Sequence, residues 1–190
     1  MTTGGPAPLA GPPETVDYDP RWPARFAYYR DELADALGAV ALRIDHIGST
    51  AVPGLPAKDV VDLQVVVPDE TDQASYRPAI ESTGLVLSYR DASVSWSFFR
   101  PPMPPRLRHV HVTSAGSPRE RIQLLFVEYL RSNESAREAY AEVKYRLAAQ
   151  FPADRIAFNE AKTAFIVEML DRAERWAGAV GWMVPPLENV

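Results

Sequence analysis

Hydrophobic residues recur at helical spacing in several parts of the chain. In the first of them, residues 22–37, the apolar positions are Phe26, Tyr29, Leu33 and Leu37. Pro23 suits a first helical turn, so the pattern predicts an amphipathic helix there. A weaker helical pattern covers residues 73–83, and longer ones cover residues 119–131, 135–150 and 154 to about 177.

Shorter segments between these helices have strand character. Residues 40–47 alternate between apolar and polar, and residues 60–67 are dense in valine, as expected of a buried strand. Further strands are predicted at residues 85–89, 95–100 and 107–113, with a proline-rich break at 101–105. The order of helix, mixed sheet and helical C-terminal part predicts an α/β or α+β fold.

The 190 residues are enough for one domain with a sizeable core. Residues 1–14 are rich in Gly, Pro and Thr and are predicted to form a flexible tail. We expect a single domain over residues 15–178. Residues 179–190 form a C-terminal extension, predicted to dock either on this domain or on a second subunit of a homodimer.

Composition and charge exclude several classes of function. The net charge of -5 disfavours a partner as large and negative as extended nucleic acid, although a local basic pocket for one nucleotide remains compatible with it. The chain has no cysteine, which excludes disulfides and thiolate chemistry. No apolar stretch approaches the length of a membrane span, and no signal peptide is recognisable at the start, so we expect a cytoplasmic protein with no membrane partner.

The turn-rich stretch after the first predicted strand carries groups suited to phosphate chemistry. Gly48, Ser49 and Thr50 leave that strand with backbone N–H groups and hydroxyls available to phosphate oxygens. Asp62, on the following strand, offers a carboxylate to a cation. A Gly-Ser turn is common in proteins without any such role, so the pattern alone also fits an ordinary turn.

A longer motif gives this stretch a family resemblance. Ile47, Gly48 and Ser49 are followed, after a spacer, by Asp62-Leu-Gln, and residues 46–65 read HIGSTAVPGLPAKDVVDLQV. This string resembles the signature of the GrpB family, a branch of the nucleotidyltransferase superfamily also found fused to dephospho-CoA kinases. Further similarity lies in YDPRWPARF, FFR, RHVHV and LLFVEYLR and in the spacing of Tyr140, Lys144 and Lys162. The resemblance implies a nucleotidyltransferase-like mixed sheet flanked by helices, with a helical C-terminal part.

One position departs from the superfamily pattern. Active members hold two metal ions with a pair of carboxylates and a third from a later strand, and here Gln64 replaces the second. His109 and His111 lie two apart on a predicted strand and so project from one face. Together with Asp62 they could form a 2-His-1-carboxylate site, to which His46 is a further candidate ligand. Such a site suits zinc, manganese or iron better than magnesium. An HxH pair is also common as a hydrogen-bonded or polar-rim feature.

Basic residues supply candidate partners for phosphate. Lys144 and Lys162 each interrupt the apolar stripe of a predicted helix, so each either extends to water or meets an anion. Lys58, Arg100 and Arg108 lie at loop or strand ends near the predicted site, where a solvated surface charge is the alternative interpretation.

Three functional hypotheses remain open at this point. The first is transfer of a nucleotidyl group from a nucleoside triphosphate to a small acceptor, with a divalent metal such as Mg²⁺ or Mn²⁺. The second is a binding module for a nucleotide or CoA-like ligand without turnover, and the third is a His/Asp metal-dependent enzyme acting on a small metabolite. The predicted catalytic residues are Asp62 and His111; the phosphate-binding residues are Gly48, Ser49, Thr50, Lys58, Arg100, Arg108, Lys144 and Lys162; and the metal ligands are Asp62, Gln64, His109, His111 and His46.

Overall fold

The described residues form a five-stranded sheet and five α-helices. The computed structural model describes residues 15–91, 96–152 and 154–187. The strands are β1 (Arg43–Ile47), β2 (Val61–Val67), β3 (Val86–Asp91), β4 (Trp96–Arg100) and β5 (Arg108–Ser114). The helices are α1 (Trp22–Leu37), α2 (Gln73–Ser82), α3 (Pro118–Ser132), α4 (Glu134–Gln150) and α5 (Arg155–Val180).

The sheet is mixed, so the predicted fold class is confirmed. Its strand order is β1-β2-β5-β4-β3, with β2 and β5 parallel and the other neighbours antiparallel. The helical C-terminal part, α3 to α5, follows the last strand as expected. None of the helices in the described part of the chain is long and apolar enough to cross a membrane.

The predicted element boundaries differ from the structure mainly beside α1. Residues 38–40 form a short 3-10 turn, so the first strand begins at Arg43 instead of residue 40. Gly38 has a φ of 51°, and this backbone conformation ends the helix before the strand begins. The predicted flexible tail at residues 1–14 and the first residue of the strand predicted at 95–100 lie outside the described residues.

One face of the sheet packs against α1 and α2. Leu63, Val65 and Val67 of β2 alternate toward this face and are fully buried. They pack in one hydrophobic cluster with side chains of α1 and α2, including Trp22 and Tyr76. The intervening residues of β2, among them Asp62, therefore belong to the opposite face.

A second hydrophobic cluster joins the C-terminal helices to the loop after β1. Leu125 and Leu130 of α3 and Met169 of α5 are buried in it together with Leu55 of the loop. Trp182, beyond α5, packs against the same cluster. The C-terminal extension thus docks on its own domain through the residues that the structure describes.

A buried ion cluster ties the edge strand β1 to α3. The Arg43 guanidinium lies 2.9 Å from both carboxylate oxygens of Asp45 and 2.6 Å from Glu120 Oε1, and it donates to the carbonyl of Pro185 at 2.8 Å. Arg43 is 7% exposed and Glu120 is 2% exposed. Because both acids depend on one cation, removing Arg43 leaves two buried carboxylates without their partner.

We expect Arg43→Ala to lower the free energy of unfolding by about 3–5 kcal/mol, because the variant leaves buried negative charge without its cation. Urea denaturation of the whole chain measures the change. Arg77→Ala is the matched control, since Arg77 forms an exposed pair with Glu81 on α2, and it should change stability by less than about 1 kcal/mol. Similar losses in the two variants would contradict a structural role for the buried cluster.

Candidate functional site

The turn after β1 lies directly against Asp62. Gly48 has φ 70° and ψ -170°, a conformation essentially reserved for glycine. A Cβ at this position would lie 2.6 Å from Asp62 Oδ2. Glycine is therefore required here both by its backbone angles and by the close approach of the carboxylate, and Ser49 follows immediately.

Side chains of β1 and α3 contact this turn and hold it in place. His46 Nε2 lies 3.0 Å from the hydroxyl of Thr50, and the His46 ring stacks on Phe26 at 4.7 Å. Arg131 donates to the carbonyl of Ala51 at 3.0 Å. Burial, reinforced by the positive charge of Arg131, lowers the pKa of His46 to about 4, so its ring is neutral at pH 7.

Asp62 meets two imidazoles from the parallel strand β5. The register pairs Asp62 with His109 and Gln64 with His111, so all four residues share one face. Asp62 Oδ1 lies 3.2 Å from His109 Nδ1 and 3.4 Å from His111 Nε2. Burial alone raises the pKa of Asp62, but the hydrogen bonds with His109 and His111 more than offset that effect and hold its pKa below the ordinary aspartate value.

A cleft of about 240 Å³ opens beside this carboxylate, between the sheet and helices α4 and α5. Lys58, Lys144 and Lys162 line it together with Ser49 and Asp62. The structure thus brings together, in one cleft, a serine turn, a carboxylate and cations that come from separate segments of the chain. We call this space the lysine cleft.

Lys144 is the most buried cation of the lysine cleft. Its side chain is 5% exposed, its ammonium group donates to the carbonyl of Pro56, and its Nζ lies 4.5 Å from the centre of the Tyr140 ring. Burial, reinforced by the positive charge of Lys162, lowers the pKa of Lys144 to about 7. The amine therefore changes protonation state close to neutral pH.

Two aromatic residues of the site were not identified as site residues from the sequence. Phe158 lies beneath the lysines, with its ring centre 5.5 Å from Lys58 Nζ and 6.0 Å from Lys162 Nζ. Tyr140 is hydrogen-bonded to Ser49, and burial raises the pKa of Tyr140 to about 12. The available signal was helical spacing, because each aromatic residue precedes a cleft lysine by four positions.

Gln64 shares the face of Asp62 but lies inside the protein. It is fully buried, and its amide nitrogen lies 3.4 Å from Asp45 Oδ2. Its oxygen has no hydrogen-bond partner among the described residues. The structure therefore joins Gln64 to the buried Arg43 cluster, and does not expose it at the cleft.

The donor set around Asp62 is small. Within residues 15–91, 96–152 and 154–187, no group of three or more His, Asp or Glu side chains is arranged to hold a metal ion. Mg²⁺ is commonly held by one or two carboxylates together with substrate phosphates and water. A Mg²⁺ ion at Asp62 would therefore need ligand phosphates and water to complete its coordination.

Besides Gln64, three further predicted site residues are not brought into this group. His46 pairs with Leu63 in the sheet register, which places it on the face opposite Asp62. Arg108 also belongs to that opposite face, where it pairs with Glu32, donates to the carbonyl of Thr83 at 2.6 Å and lies over a tyrosine ring. Arg100 shares the Asp62 face by alternation but does not line the lysine cleft.

Fold and site together define a mixed α/β protein whose sheet carries a histidine-flanked carboxylate beside a lysine-lined cleft. The GrpB family model, described as GrpB protein, matches residues 12–172. The chain belongs to the GrpB family, which confirms the resemblance seen in its motifs.

Individual relatives agree with this assignment. A UPF0157 protein of Halalkalibacterium halodurans is 36% identical over 159 residues, which cover 83% of this chain and 80% of that protein. A dephospho-CoA kinase of Mycobacterium tuberculosis is 34% identical over 196 residues, covering 90% of this chain but 48% of the kinase. The crystal structure of conserved protein GrpB from Enterococcus faecalis has a TM-score of 0.77 and 26% identity, covering 86% of this chain and 99% of that one.

We expect Gly48→Ala to lower the free energy of unfolding by about 3 kcal/mol or more, because backbone strain of about 1–3 kcal/mol adds to the clash with Asp62. Gly54→Ala is the matched control. Gly54 has φ 77° with nothing within 4 Å of an added Cβ. Gly54→Ala should therefore lower the free energy of unfolding by about 1–2 kcal/mol. Urea unfolding compares the two variants. Equal losses would mean that the approach of Asp62 places no constraint on residue 48.

Proposed function

We propose that this protein binds a nucleoside triphosphate in the lysine cleft and transfers its nucleotidyl group to a small acceptor. The observation that supports it is the convergence of Ser49, Asp62 and the lysines on one cleft. Phosphoryl and nucleotidyl transfer depend on neutralising phosphate oxygens while the reacting oxygens are held in line. The lysines of this cleft would neutralise phosphate oxygens, and the serine turn and Asp62 would help to position the reacting groups.

Each group has a part in the proposed reaction. The Gly48-Ser49 turn and the lysines hold the β and γ phosphates, so pyrophosphate is the leaving group. An acceptor hydroxyl oxygen attacks the α phosphorus, the bond to the pyrophosphate oxygen breaks, and the hydroxyl proton passes to an imidazole, for which His111 is the candidate base. Asp62 would hold a divalent metal ion, Mg²⁺ or Mn²⁺, and that ion would supply additional charge neutralisation at the phosphates.

Relatives support a nucleotide-related role. Dephospho-CoA kinases of mycobacteria carry a region similar to almost the whole of this chain, alongside about as much other sequence. Dephospho-CoA is itself a nucleotide-containing compound, so a cleft for nucleotide phosphates is consistent with that association. The association is by similarity and does not specify a ligand for this chain.

Binding without turnover is the second candidate, and Gln64 favours it. With Gln64 buried against Asp45, Asp62 is the carboxylate at the cleft, whereas two-metal transfer uses more than one. In that case the cleft retains a nucleotide or CoA-like ligand and releases no product. A third candidate, a His/Asp transition-metal enzyme, has less support, because the described residues contain no group of three or more suitable ligands.

Pyrophosphate release separates the first two candidates. We expect the wild-type protein with ATP, CTP, GTP or UTP, Mg²⁺ or Mn²⁺ and a pool of small hydroxyl compounds to release pyrophosphate. Asp62→Asn should reduce the rate at least about 100-fold, because it removes the carboxylate at the reacting phosphate. Asp31→Asn is the control, since the Asp31 side chain is 65% exposed on α1. Nucleotide binding without release would favour the binding module, and neither binding nor release would contradict both candidates.

We expect nucleotide binding to take up protons near pH 8 through Lys144. Its pKa is about 7 in the free protein, so at pH 8 the amine is largely neutral, and nearby phosphate charge favours the protonated form. Calorimetric titration with ATP in buffers of different ionisation enthalpy measures the uptake, which approaches one proton. Lys144→Met should lose that uptake. An equal uptake in the variant would show that phosphate charge does not reach Lys144.

A further inference from the structure

A second cavity, of about 290 Å³, also borders Asp62. Ser49, Asp62, Tyr140 and Lys162 line both this cavity and the lysine cleft. The two spaces are therefore neighbours that meet at the carboxylate and the serine turn.

The second cavity differs from the lysine cleft in its chemistry. Beyond the shared residues, its wall is formed largely by apolar side chains of α3 and α5: Ile122, Phe126, Ile166 and Leu170. We call it the apolar lobe. Gln123 also lines it, and the amide oxygen of Gln123 is buried with no hydrogen-bond partner among the described residues. A buried amide oxygen of this kind is stabilised by a ligand that brings a donor.

In-line transfer assigns different roles to the two spaces. At the α phosphorus the attacking and leaving oxygens must lie on opposite sides. If the lysine cleft holds the departing pyrophosphate, the attacking oxygen approaches from outside that cleft. The apolar lobe is a separate space that borders the same carboxylate.

We propose that the apolar lobe is the acceptor subsite, and that the acceptor is a small hydroxyl compound with an apolar body and a hydrogen-bond donor for Gln123. This inference rests on the proposed function. The volume of about 290 Å³ is near the lower end for small-molecule pockets, so it suits a compact acceptor rather than a polymer. Apolar walls disfavour a sugar or a second phosphate compound, because their polar groups would lose hydration without replacement.

Benzyl alcohol is a suitable probe, since it combines an apolar ring with one hydroxyl group. Its binding to the full chain is followed by NMR shifts of labelled isoleucine and leucine methyl groups. We expect saturable binding at the lobe, weakened at least tenfold by Ile166→Trp, which fills the space. Ile122→Trp is a second filling variant, at a residue that is 42% exposed and so tolerant of change. Val167→Trp, at the neighbouring position that is 56% exposed, is the matched control and should bind like wild type.

A second titration decides which part of the reaction the lobe serves. It is repeated with Mg²⁺ and an ATP analogue that has a methylene bridge between the α and β phosphates, which prevents cleavage. Alcohol affinity within about twofold of its value without nucleotide supports an acceptor subsite. Loss of alcohol binding by tenfold or more would assign the lobe to the nucleoside and overturn the inference, as would no alcohol binding, or equal binding in the filled variants.

The outcomes also separate this inference from the proposed function. If the analogue does not bind at all, the proposed function fails, even when benzyl alcohol still occupies the lobe. If the analogue binds and the alcohol does not, the proposed function survives and the acceptor assignment fails.

Discussion

The contact between Gly48 and Asp62 is the constraint on which the candidate site depends. The antiparallel register pairs Ile47 with Asp62, so the chain must leave β1 directly over that carboxylate. Only a residue without a Cβ allows this path, because an added atom would lie 2.6 Å from the carboxylate oxygen. The same approach places Ser49 where it reaches Tyr140, and so links the sheet to α4.

Lys144 shows that the cleft is built at a cost in stability. A buried amine is tolerated when an anion or hydrogen-bond acceptor compensates it, and in the described residues the acceptor for Lys144 is the uncharged carbonyl of Pro56. Burial, with the positive charge of Lys162, lowers the pKa of Lys144 to about 7, so this compensation is incomplete. Under the proposed function, a phosphate ligand would supply the missing negative charge.

Local patterns allowed most of the elements and several residues of the candidate site to be predicted, because periodicity and turn chemistry act over a few residues. Alternation along a predicted strand placed His109 and His111 on one face, whereas their position beside Asp62 was implied by the family resemblance and depends on the register of β2 and β5. The face of His46 depends on its register with β2, which no local pattern specifies, and that register puts it behind the turn. Arg108 likewise lies on the sheet face that packs against α1, because alternation along β5 places it on the face opposite to that of His109.

The charges of the buried Arg43 cluster explain why residue 64 is neutral. Gln64 is opposite Asp45 in the register, and Asp45 already shares the Arg43 guanidinium with Glu120. Burial raises the pKa of Asp45 even with that cation beside it, so the cluster holds its negative charge with difficulty. A carboxylate at position 64 would add a third acid to one arginine, whereas an amide can donate to Asp45. The amide at position 64 is thus coupled to the charges on β1 and α3, and cannot be understood from the motif alone.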